Sequence, residues 1–203
     1  MELLIATKNK NKLKEIKEIL EGLSLKITSL LDCPLRIRIR EDGKTFKENA
    51  IKKALKVAKL TGRLTLGEDS GLCVDALDGK PGIFSSHFAG REKNDLKNNL
   101  KLLRLLEGLP LSKRKAHYVC AVALADKEGL IKVVEGRSYG YIGFEFKGKF
   151  GFGYDPLFIP RGYRKTFAQL GPRLKHKISH RGRALRKIIP FINRYINKRS
   201  KIK

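Results

Sequence analysis

Two adjacent carboxylates stand in an acidic stretch of an otherwise cationic chain. The 203 residues include 45 Lys and Arg but only 20 Asp and Glu, so the formal net charge is +25. Between Leu64 and Gly79 there is no Lys or Arg, and this stretch contains Glu68 and Asp69 after an apolar strand. Hard cations such as Mg²⁺ bind carboxylate oxygens and are often completed by substrate phosphates. The pair therefore predicts a divalent metal site or a catalytic base, and the alternative is an acidic turn after a buried strand.

A lysine-rich segment near the start of the chain is suited to binding an anion. It follows the short apolar strand 3–6 and precedes a helix with Leu13 and Ile16 in its apolar stripe and Gly22 at its end. Free N–H groups and the helix dipole favour an anion at such a turn. We therefore predict a cradle for a triphosphate, the alternative being a solvated loop. The segment consists of Thr7, Lys8, Asn9, Lys10, Asn11 and Lys12.

A glycine-rich segment, Gly148–Pro156, combines close backbone approach with flat side chains. Its glycines let a ligand come close to the main chain. The rings of Phe152 and Tyr154 offer faces on which a base can stack. Asp155 is the only acidic residue from Phe150 to Pro160. The segment predicts a base-binding loop, and the alternative is a β-bulge with packed aromatic residues.

The last quarter of the chain is basic throughout. No acidic residue occurs from Pro156 to Lys203. Ser179 is a natural N-cap, so His180 and Arg181 are predicted to lie at a helix start that favours an anion. The helix is predicted to fray from residue 197 onward.

Strands and helices alternate along the chain before a hairpin and further helices. Strands are predicted at 25–29 and 36–40, and a capping box at Thr45 is predicted to start a helix on which Asn49 and Lys53 share one face. The acidic stretch is predicted to turn sharply at Gly67 between two short strands.

The later elements complete the pattern. The helix 94–106 is predicted to pack through Leu96, Leu100, Leu103 and Leu106. Strands 116–125 and 130–142 are predicted to form a hairpin. The order predicts an α/β fold with a long mixed central β-sheet flanked by helices.

Composition limits the class of protein. The chain is 41% hydrophobic, which indicates a globular fold, and no apolar run reaches the ~20 residues of a membrane span. Three cysteines without close spacing predict buried thiols in a reducing cytoplasm, not a disulfide framework. The high charge is compatible with nucleic-acid binding, with the attraction of polyanionic nucleotides, or with thermal adaptation.

Five sequence blocks, taken in order, resemble the inosine triphosphate / xanthosine triphosphate pyrophosphatases, which are also called HAM1-like house-cleaning enzymes. Each block is weak alone, but five in register cover nearly the whole chain. The blocks are Ile5–Lys12, Glu41–Ala54, Asp69–Gly82, Gly151–Pro156 and Lys175–Leu185.

The resemblance implies a fold and an activity. It implies one two-lobed α/β domain spanning residues 1–203, with a substrate cleft between the lobes, that assembles as a cytoplasmic homodimer. It implies Mg²⁺-dependent attack of water on the α-phosphate of ITP, dITP or XTP, which releases the monophosphate and pyrophosphate. Neither a membrane nor a nucleic-acid substrate is expected.

The resemblance also implies roles for individual residues. Asp69 is the expected metal ligand and catalytic base. Glu41 is the expected second metal ligand, and the adjacent Asp42 remains an alternative. The expected substrate-binding residues are Thr7, Lys8, Asn9, Lys10, Asn11, Lys12, Lys53, Ser70, Phe152, Gly153, Tyr154, Asp155, Lys175, His180 and Arg181.

Two other classes of function remain alternatives. A nucleic-acid-binding protein would use the basic C-terminal third of the chain and would bind with steep salt dependence. It would leave the acidic centre at Asp69 without a role. A metal-dependent phosphatase or nuclease would use the same carboxylates, but a phosphatase would release orthophosphate.

Overall fold

The computed structural model describes residues 2–200. Six strands form one sheet in the order β2-β1-β3-β4-β5-β6. The strands are β1 (Glu2–Ile5), β2 (Lys26–Ser29), β3 (Thr65–Val74), β4 (Lys115–Asp126), β5 (Gly129–Ile142) and β6 (Phe158–Pro160). The helices are α1 (Lys10–Ile19), α2 (Phe46–Thr61), α3 (Asp95–Leu105), α4 (Phe167–Ile178) and α5 (His180–Ser200), with short 3₁₀ turns at Asp75–Leu77, Gly82–His87 and Leu111–Lys113.

The sheet is mixed, which confirms the predicted α/β class. Strand β1 runs parallel to both β2 and β3, and Ile5 pairs with Ser29 and with Leu66. Strand β5 runs antiparallel to β6. The predicted hairpin is present in β4 and β5, whose turn is held by Asp126, because its Oδ1 accepts the N–H groups of Glu128 and Gly129. Among residues 2–200, no helix is long and apolar enough to cross a membrane.

The chain divides into two compact units. Unit 1 comprises the chain up to Asp69, Cys120–Gly136 and the chain from Arg181. Its largest hydrophobic cluster joins side chains of β1, α1, β4 and α5, including Leu3, Ile16 and Leu185. Unit 2 comprises Ser70–Val119 and Arg137–His180, and has its own core.

The acidic stretch is one continuous strand and not two short strands joined by a turn. Residues Thr65–Val74 form β3 without interruption, so Asp69 lies in mid-strand. The prediction of a sharp turn at Gly67 was therefore wrong. Gly67 is instead required by packing, because a Cβ atom there would lie 2.2 Å from the carbonyl oxygen of Ala50 and 2.6 Å from the backbone nitrogen of Ala54.

Helix α2 packs on the sheet through a layer of alanines, which we call the alanine layer. The layer consists of Ala50, Ala54, Ala58, Ala121, Ala123 and Ala125. Every one of these residues is fully buried. Because alanine adds only a methyl group to the backbone, α2 and β3 approach closely where Gly67 faces the helix. The close approach brings two polar side chains of α2 to β3, as described below.

Replacement of Gly67 by alanine is expected to destabilise the protein by about 1–3 kcal/mol, because an added methyl group has no space between two backbones. Urea unfolding with matched m-values measures the loss. Gly62→Asn is the control: Gly62 ends α2 at φ +68 with open space around it, and asparagine tolerates that conformation. Equal stability of Gly67→Ala and the wild-type protein would contradict the packing argument.

Two further predicted elements differ in the structure. Residues 36–40 form no strand; Ile37 is instead buried beside Leu4 in a small cluster. Helix α5 continues to Ser200, past the predicted fraying point at residue 197, and residues 201–203 lie outside the described chain. A basic last turn suits the negative end of the helix dipole, which favours this continuation.

Two helices were predicted incompletely. Thr45 caps α2 as predicted. The Glu48 carboxylate, however, accepts the N–H of Lys44 and not that of the N-cap residue Thr45, which a capping box requires. Helix α4 was missed, although the Thr166–Gln169 spacing is a capping-box signal and both of its hydrogen bonds are present.

Candidate active site

The centre of the candidate site in unit 1 is the ammonium group of Lys53. Its Nζ lies 2.5 Å from Glu41 Oε2 and 3.0 Å from Asp69 Oδ1, and it also donates to the carbonyl oxygen of Glu68 at 3.0 Å. Lys53 and Asp69 are buried, whereas the Glu41 side chain is about half exposed, at 49%. The structure therefore brings together three of the residues that the sequence predicted for one site.

Asn49 joins the two segments that supply the carboxylates, and it belongs to no predicted set of site residues. Its Nδ2 donates to Asp69 Oδ2 at 3.1 Å, and its Oδ1 accepts the N–H of Gly43 at 2.8 Å. Asn49 and Lys53 lie one helical turn apart on α2 and hold both oxygens of the same carboxylate. The sequence indicated this arrangement, because residues four apart lie on the same face of a helix.

Burial and charge act against each other at this carboxylate–lysine pair. Burial raises the pKa of Asp69, and the nearby Lys53 and Lys12 only partly oppose that rise. For Lys53 burial acts to lower the pKa, but the carboxylates of Asp69 and Glu41 outweigh it, so the pKa is raised. Lys53 therefore stays cationic while Asp69 becomes a stronger base than an exposed aspartate, which suits proton abstraction near neutral pH.

Glu68, whose side chain is fully buried, is the hub of a second charge network. Its Oε2 lies 2.9 Å from Lys12 Nζ, and its Oε1 accepts hydrogen bonds from Arg181 Nη2 at 3.0 Å and from the Cys120 thiol at 3.3 Å. Arg181 also pairs with Glu15 on α1. Glu68 thus holds the side chain of Lys12, the last lysine of the 7–12 segment.

Glu15 was missed by the sequence reasoning. It lies on α1 between Lys14 and Ile16, and nothing in that spacing marks it as a partner of Arg181, which is 166 residues away. Its buried carboxylate helps to raise the pKa of Arg181 still further above its ordinary value, although burial alone acts in the opposite direction. The guanidinium is therefore a permanent cation inside unit 1.

The lysine-rich segment has the predicted strand-to-helix placement. Asn9 caps α1 by accepting the N–H of Lys12 at 3.0 Å, and the N–H of Asn9 is bonded to the Thr7 hydroxyl. The last three residues of the lysine-rich segment, 10–12, form the first turn of α1, where N–H groups are available to an anion. Thr7 is half-buried, and Lys8 through Asn11 are exposed.

The predicted base-binding residues of unit 2 also form a group. Asp155 is buried and accepts the N–H of Phe152 at 2.9 Å, and it forms an ion pair with the buried Lys175. The Lys175 ammonium lies 5.0 Å from the centroid of the Phe152 ring, a cation–π distance. A Cβ at Gly151, where φ is +79, would overlap the Asp155 carboxylate, so glycine is required there.

Two further loop residues have structural partners. The Tyr154 hydroxyl donates to the carbonyl oxygen of Ser85 at 2.8 Å, and burial raises its pKa. The backbone of Gly153 is held by α3, as described below. Tyr154 is 3% exposed, so its ring is packed, whereas Phe152 is half-buried.

His180 and Arg181 begin α5 as predicted, but neither side chain is exposed there. His180 stacks on Tyr118 with ring centroids 4.4 Å apart and planes inclined by 7°. Exposure is 3% for His180 and 1% for Arg181. Ser70, the first residue of unit 2, is half-buried. The His180 and Arg181 side chains are therefore both buried at the helix start that was predicted to favour an anion.

The carboxylates of unit 1 are chemically suited to a hard divalent cation. Glu41 Oε2 and Asp69 Oδ1 converge on one positive charge, the Lys53 ammonium. In residues 2–200 no group of three or more His, Cys, Asp and Glu side chains is arranged to hold a metal. A two-carboxylate set matches Mg²⁺, which commonly uses one or two carboxylates together with substrate phosphates and water.

The fold and these residues define an α/β protein with a lysine–carboxylate candidate active site. The family model described as "Ham1 family" matches residues 3–191. The chain therefore belongs to the Ham1 family, as the resemblance predicted, and is a nucleotide-hydrolysing enzyme of the house-cleaning class.

Named relatives and solved structures agree with this assignment. A dITP/XTP pyrophosphatase of Desulforamulus reducens is 49% identical over 194 residues, 96% of each chain. Another, from Geobacter sulfurreducens, is 47% identical over 183 residues, 90% of this chain and 92% of the relative. A HAM1 protein from Coxiella burnetii has a similar structure, with a TM-score of 0.85, 38% identity, and coverage of 96% of this chain and 99% of its own.

Proposed function

We propose that the protein hydrolyses the deaminated purine nucleoside triphosphates ITP, dITP and XTP to the monophosphate and pyrophosphate. The two relatives from Desulforamulus reducens and Geobacter sulfurreducens are named dITP/XTP pyrophosphatase, and each matches this chain over nearly its full length. The observation that carries the chemistry is the Asp69 carboxylate, buried and bonded to both Lys53 and Asn49. A nucleic-acid-binding protein has no use for such a group.

Asp69 accepts the proton of the attacking water in this proposal. Its raised pKa makes it an effective base, and the two donors on α2 fix the direction of its lone pairs. Lys12 and the exposed lysines of the 7–11 segment bind the triphosphate at the start of α1, where N–H groups add to the attraction. Lys53 offsets negative charge as pyrophosphate leaves.

We propose Mg²⁺ as the metal, held by Asp69 and Glu41. When bound, it would neutralise phosphate oxygens and acidify a water molecule. The contacts of Glu41 support its choice over the adjacent Asp42. Glu41 reaches the same ammonium as Asp69, whereas Asp42 pairs with Lys52 and lies 3.9 Å from Arg40 at the surface.

The base is proposed to be bound by residues of unit 2 and by the start of α5. Phe152 supplies the stacking face, and Ser70, Gly153, Tyr154, Asp155, Lys175, His180 and Arg181 shape or contact the nucleotide. Backbone groups and Arg181 are proposed to recognise the 6-keto edge of the base. An adenine amino group would set donor against donor and leave buried polar groups unpaired, which disfavours ATP.

The assembly and compartment are proposals of the same kind. We propose a homodimer, supported by exposed apolar side chains such as Phe84 and Phe144, and sedimentation equilibrium measures the mass. We propose the cytoplasm as the compartment, since Cys33, Cys73 and Cys120 form no disulfide.

A nucleotide panel with Mg²⁺ tests the proposed function. Pyrophosphate and orthophosphate are assayed separately for ITP, dITP, XTP, GTP and ATP. We expect pyrophosphate from the first three, with kcat/KM for ITP exceeding that for ATP by about 10²-fold or more. Orthophosphate as the product would indicate a phosphatase. Binding of RNA or DNA with steep salt dependence, and without turnover, would favour a nucleic-acid-binding protein.

A further inference from the structure

The buried face of α3 is polar over part of its length, where it was predicted to be apolar; Leu103 and Leu106 of the predicted stripe pack in the core of unit 2 as predicted. Leu96 and Leu100, two leucines of the predicted stripe, are 58% and 52% exposed. Asn98 and Asn99 are each 2% exposed and lie on the buried side. Asp95, four residues before Asn99, is the first residue of the helix. Buried amides and exposed leucines on one helix indicate that its polar side chains have specific hydrogen-bond partners.

Asp95 and Asn99 bind both polar backbone groups of Gly153 in the glycine-rich loop. The N–H of Gly153 donates to Asp95 Oδ2 at 2.7 Å, and the carbonyl oxygen of Gly153 accepts from Asn99 Nδ2 at 2.8 Å. The N–H belongs to the peptide that follows Phe152, and the C=O belongs to the peptide that precedes Tyr154. Both peptide planes next to Gly153, whose φ is +62, are therefore fixed by α3.

The Asn99 amide is oriented so that its nitrogen donates hydrogen bonds while its oxygen accepts none from the described residues. Nδ2 also donates to the carbonyl oxygen of Asp95 at 2.7 Å. Within the part of the chain that the structure describes, Asn99 Oδ1 is buried without a partner. Reversing the amide would set that oxygen against two carbonyl oxygens. An unpaired buried polar atom costs about 1–3 kcal/mol, so stability alone does not account for an asparagine here.

The loop is held from its other side as well. The Phe152 N–H donates to Asp155 Oδ2 at 2.9 Å, and Lys175, the ion-pair partner of Asp155, lies 5.0 Å from the Phe152 ring centroid. The two peptide groups on either side of Phe152 thus each donate their N–H to a carboxylate, one to Asp155 and the other to Asp95. A rotation of either peptide would shift the Phe152 residue relative to Lys175.

We propose that Asp95 and Asn99 are positioning residues for base recognition, which hold the Gly153 backbone so that the Phe152 ring presents a fixed face to the base. This inference rests on the proposed function, in which Phe152 stacks on the purine. Neither residue touches the reacting phosphates. Their loss therefore weakens binding of the nucleotide and leaves the chemical step largely unchanged.

Steady-state kinetics of Asp95→Ala and Asn99→Ala with ITP and Mg²⁺ test the proposal. We expect KM to rise about fivefold to tenfold in each, the effect of losing one hydrogen bond to a charged or buried group, while kcat stays within about twofold. Asp95→Asn retains an acceptor oxygen and is expected to restore KM to within about twofold of wild type. Lys97→Ala is the matched control, because Lys97 pairs with Glu92 at the surface of the same helix.

Backbone hydrogen exchange of Gly153, followed by NMR, tests the clamp without any turnover. We expect its amide to be protected in the wild-type protein and in Asp95→Asn, and to exchange at least about tenfold faster in Asp95→Ala. Unchanged exchange in Asp95→Ala would show that the clamp does not hold the loop and would overturn the inference.

The outcomes separate this inference from the proposed function. Absence of ITP turnover by the wild-type protein would overturn the proposed function. With an active wild-type enzyme, an unchanged KM in both alanine variants would overturn only the positioning role. A fall in kcat at constant KM, in step with a loss of folded protein, would also overturn it, because that pattern is expected of a merely structural contact.

Discussion

Replacement of Asp69 by asparagine is expected to lower kcat for ITP by about 10²–10⁴-fold, the range typical of a lost general base. The amide has the same shape but cannot take a proton from water, and it is a poor ligand for a hard cation. The fold is expected to persist, because Lys53 keeps its contacts with Glu41 and with the carbonyl oxygen of Glu68. Pyrophosphate release at saturating ITP measures the loss, and circular dichroism checks the fold.

Asp78→Asn is the matched control for this substitution. Asp78 belongs to the same acidic stretch but is exposed, and its backbone has φ 52, a conformation that asparagine tolerates. We expect its kcat to stay within about twofold of wild type. Near-normal turnover by Asp69→Asn would remove Asp69 from the mechanism and leave the role of base to another group.

Replacement of Arg181 by alanine is expected to destabilise the protein by about 3–5 kcal/mol, the cost of breaking a buried ion pair by removing one partner. The change would leave Glu15 and Glu68 in the interior without the cation that now lies between them. Urea unfolding at neutral pH measures the effect. Because such a loss approaches the whole stability of many domains, poor expression is part of the same expectation.

Two further variants test whether the loss of stability comes from the buried charge of Arg181. Lys198→Ala removes an exposed cation of the same helix, and we expect it to change stability by less than about 0.5 kcal/mol. Arg181→Met combined with Glu68→Gln removes the guanidinium and one of its carboxylate partners together, and is expected to recover part of the loss. Stability of Arg181→Ala equal to that of Lys198→Ala would contradict the network, and Arg181 would then act on the nucleotide alone.

The sequence was most informative where spacing along one element determines proximity. The strand-to-helix placement of the 7–12 segment was predictable, because a polar run between an apolar strand and an amphipathic stripe has few other solutions. The pairing of Asn49 with Lys53 on one helical face was predictable for the same reason. The family resemblance then supplied Asp69 and Glu41 as partners, which spacing alone does not relate.

The sequence was least informative where tertiary packing overrides local pattern. Gly67 reads as a turn residue, but its lack of a side chain serves contact with α2. Leu96 and Leu100 have the spacing of a core stripe, yet the helix buries Asn99 instead, because its partner is the backbone of a loop more than 50 residues away. The burial of Arg181 depends on Glu15, and no local rule connects the two.

The alanine layer and Gly67 leave little mechanical freedom around the buried carboxylate of Asp69. Gly67 of β3 meets the main chain of α2 directly, so the separation of α2 from β3 is set by main-chain contact and cannot be adjusted by side-chain rearrangement. The hydrogen bonds from Asn49 and Lys53 to Asp69 are therefore in place before any nucleotide binds, and little reorganisation is needed when charge develops. The same rigidity limits redesign. A longer lysine analogue or a shifted carboxylate would have to fit a fixed gap, so changes of substrate are better sought in the loop that we propose to bind the base.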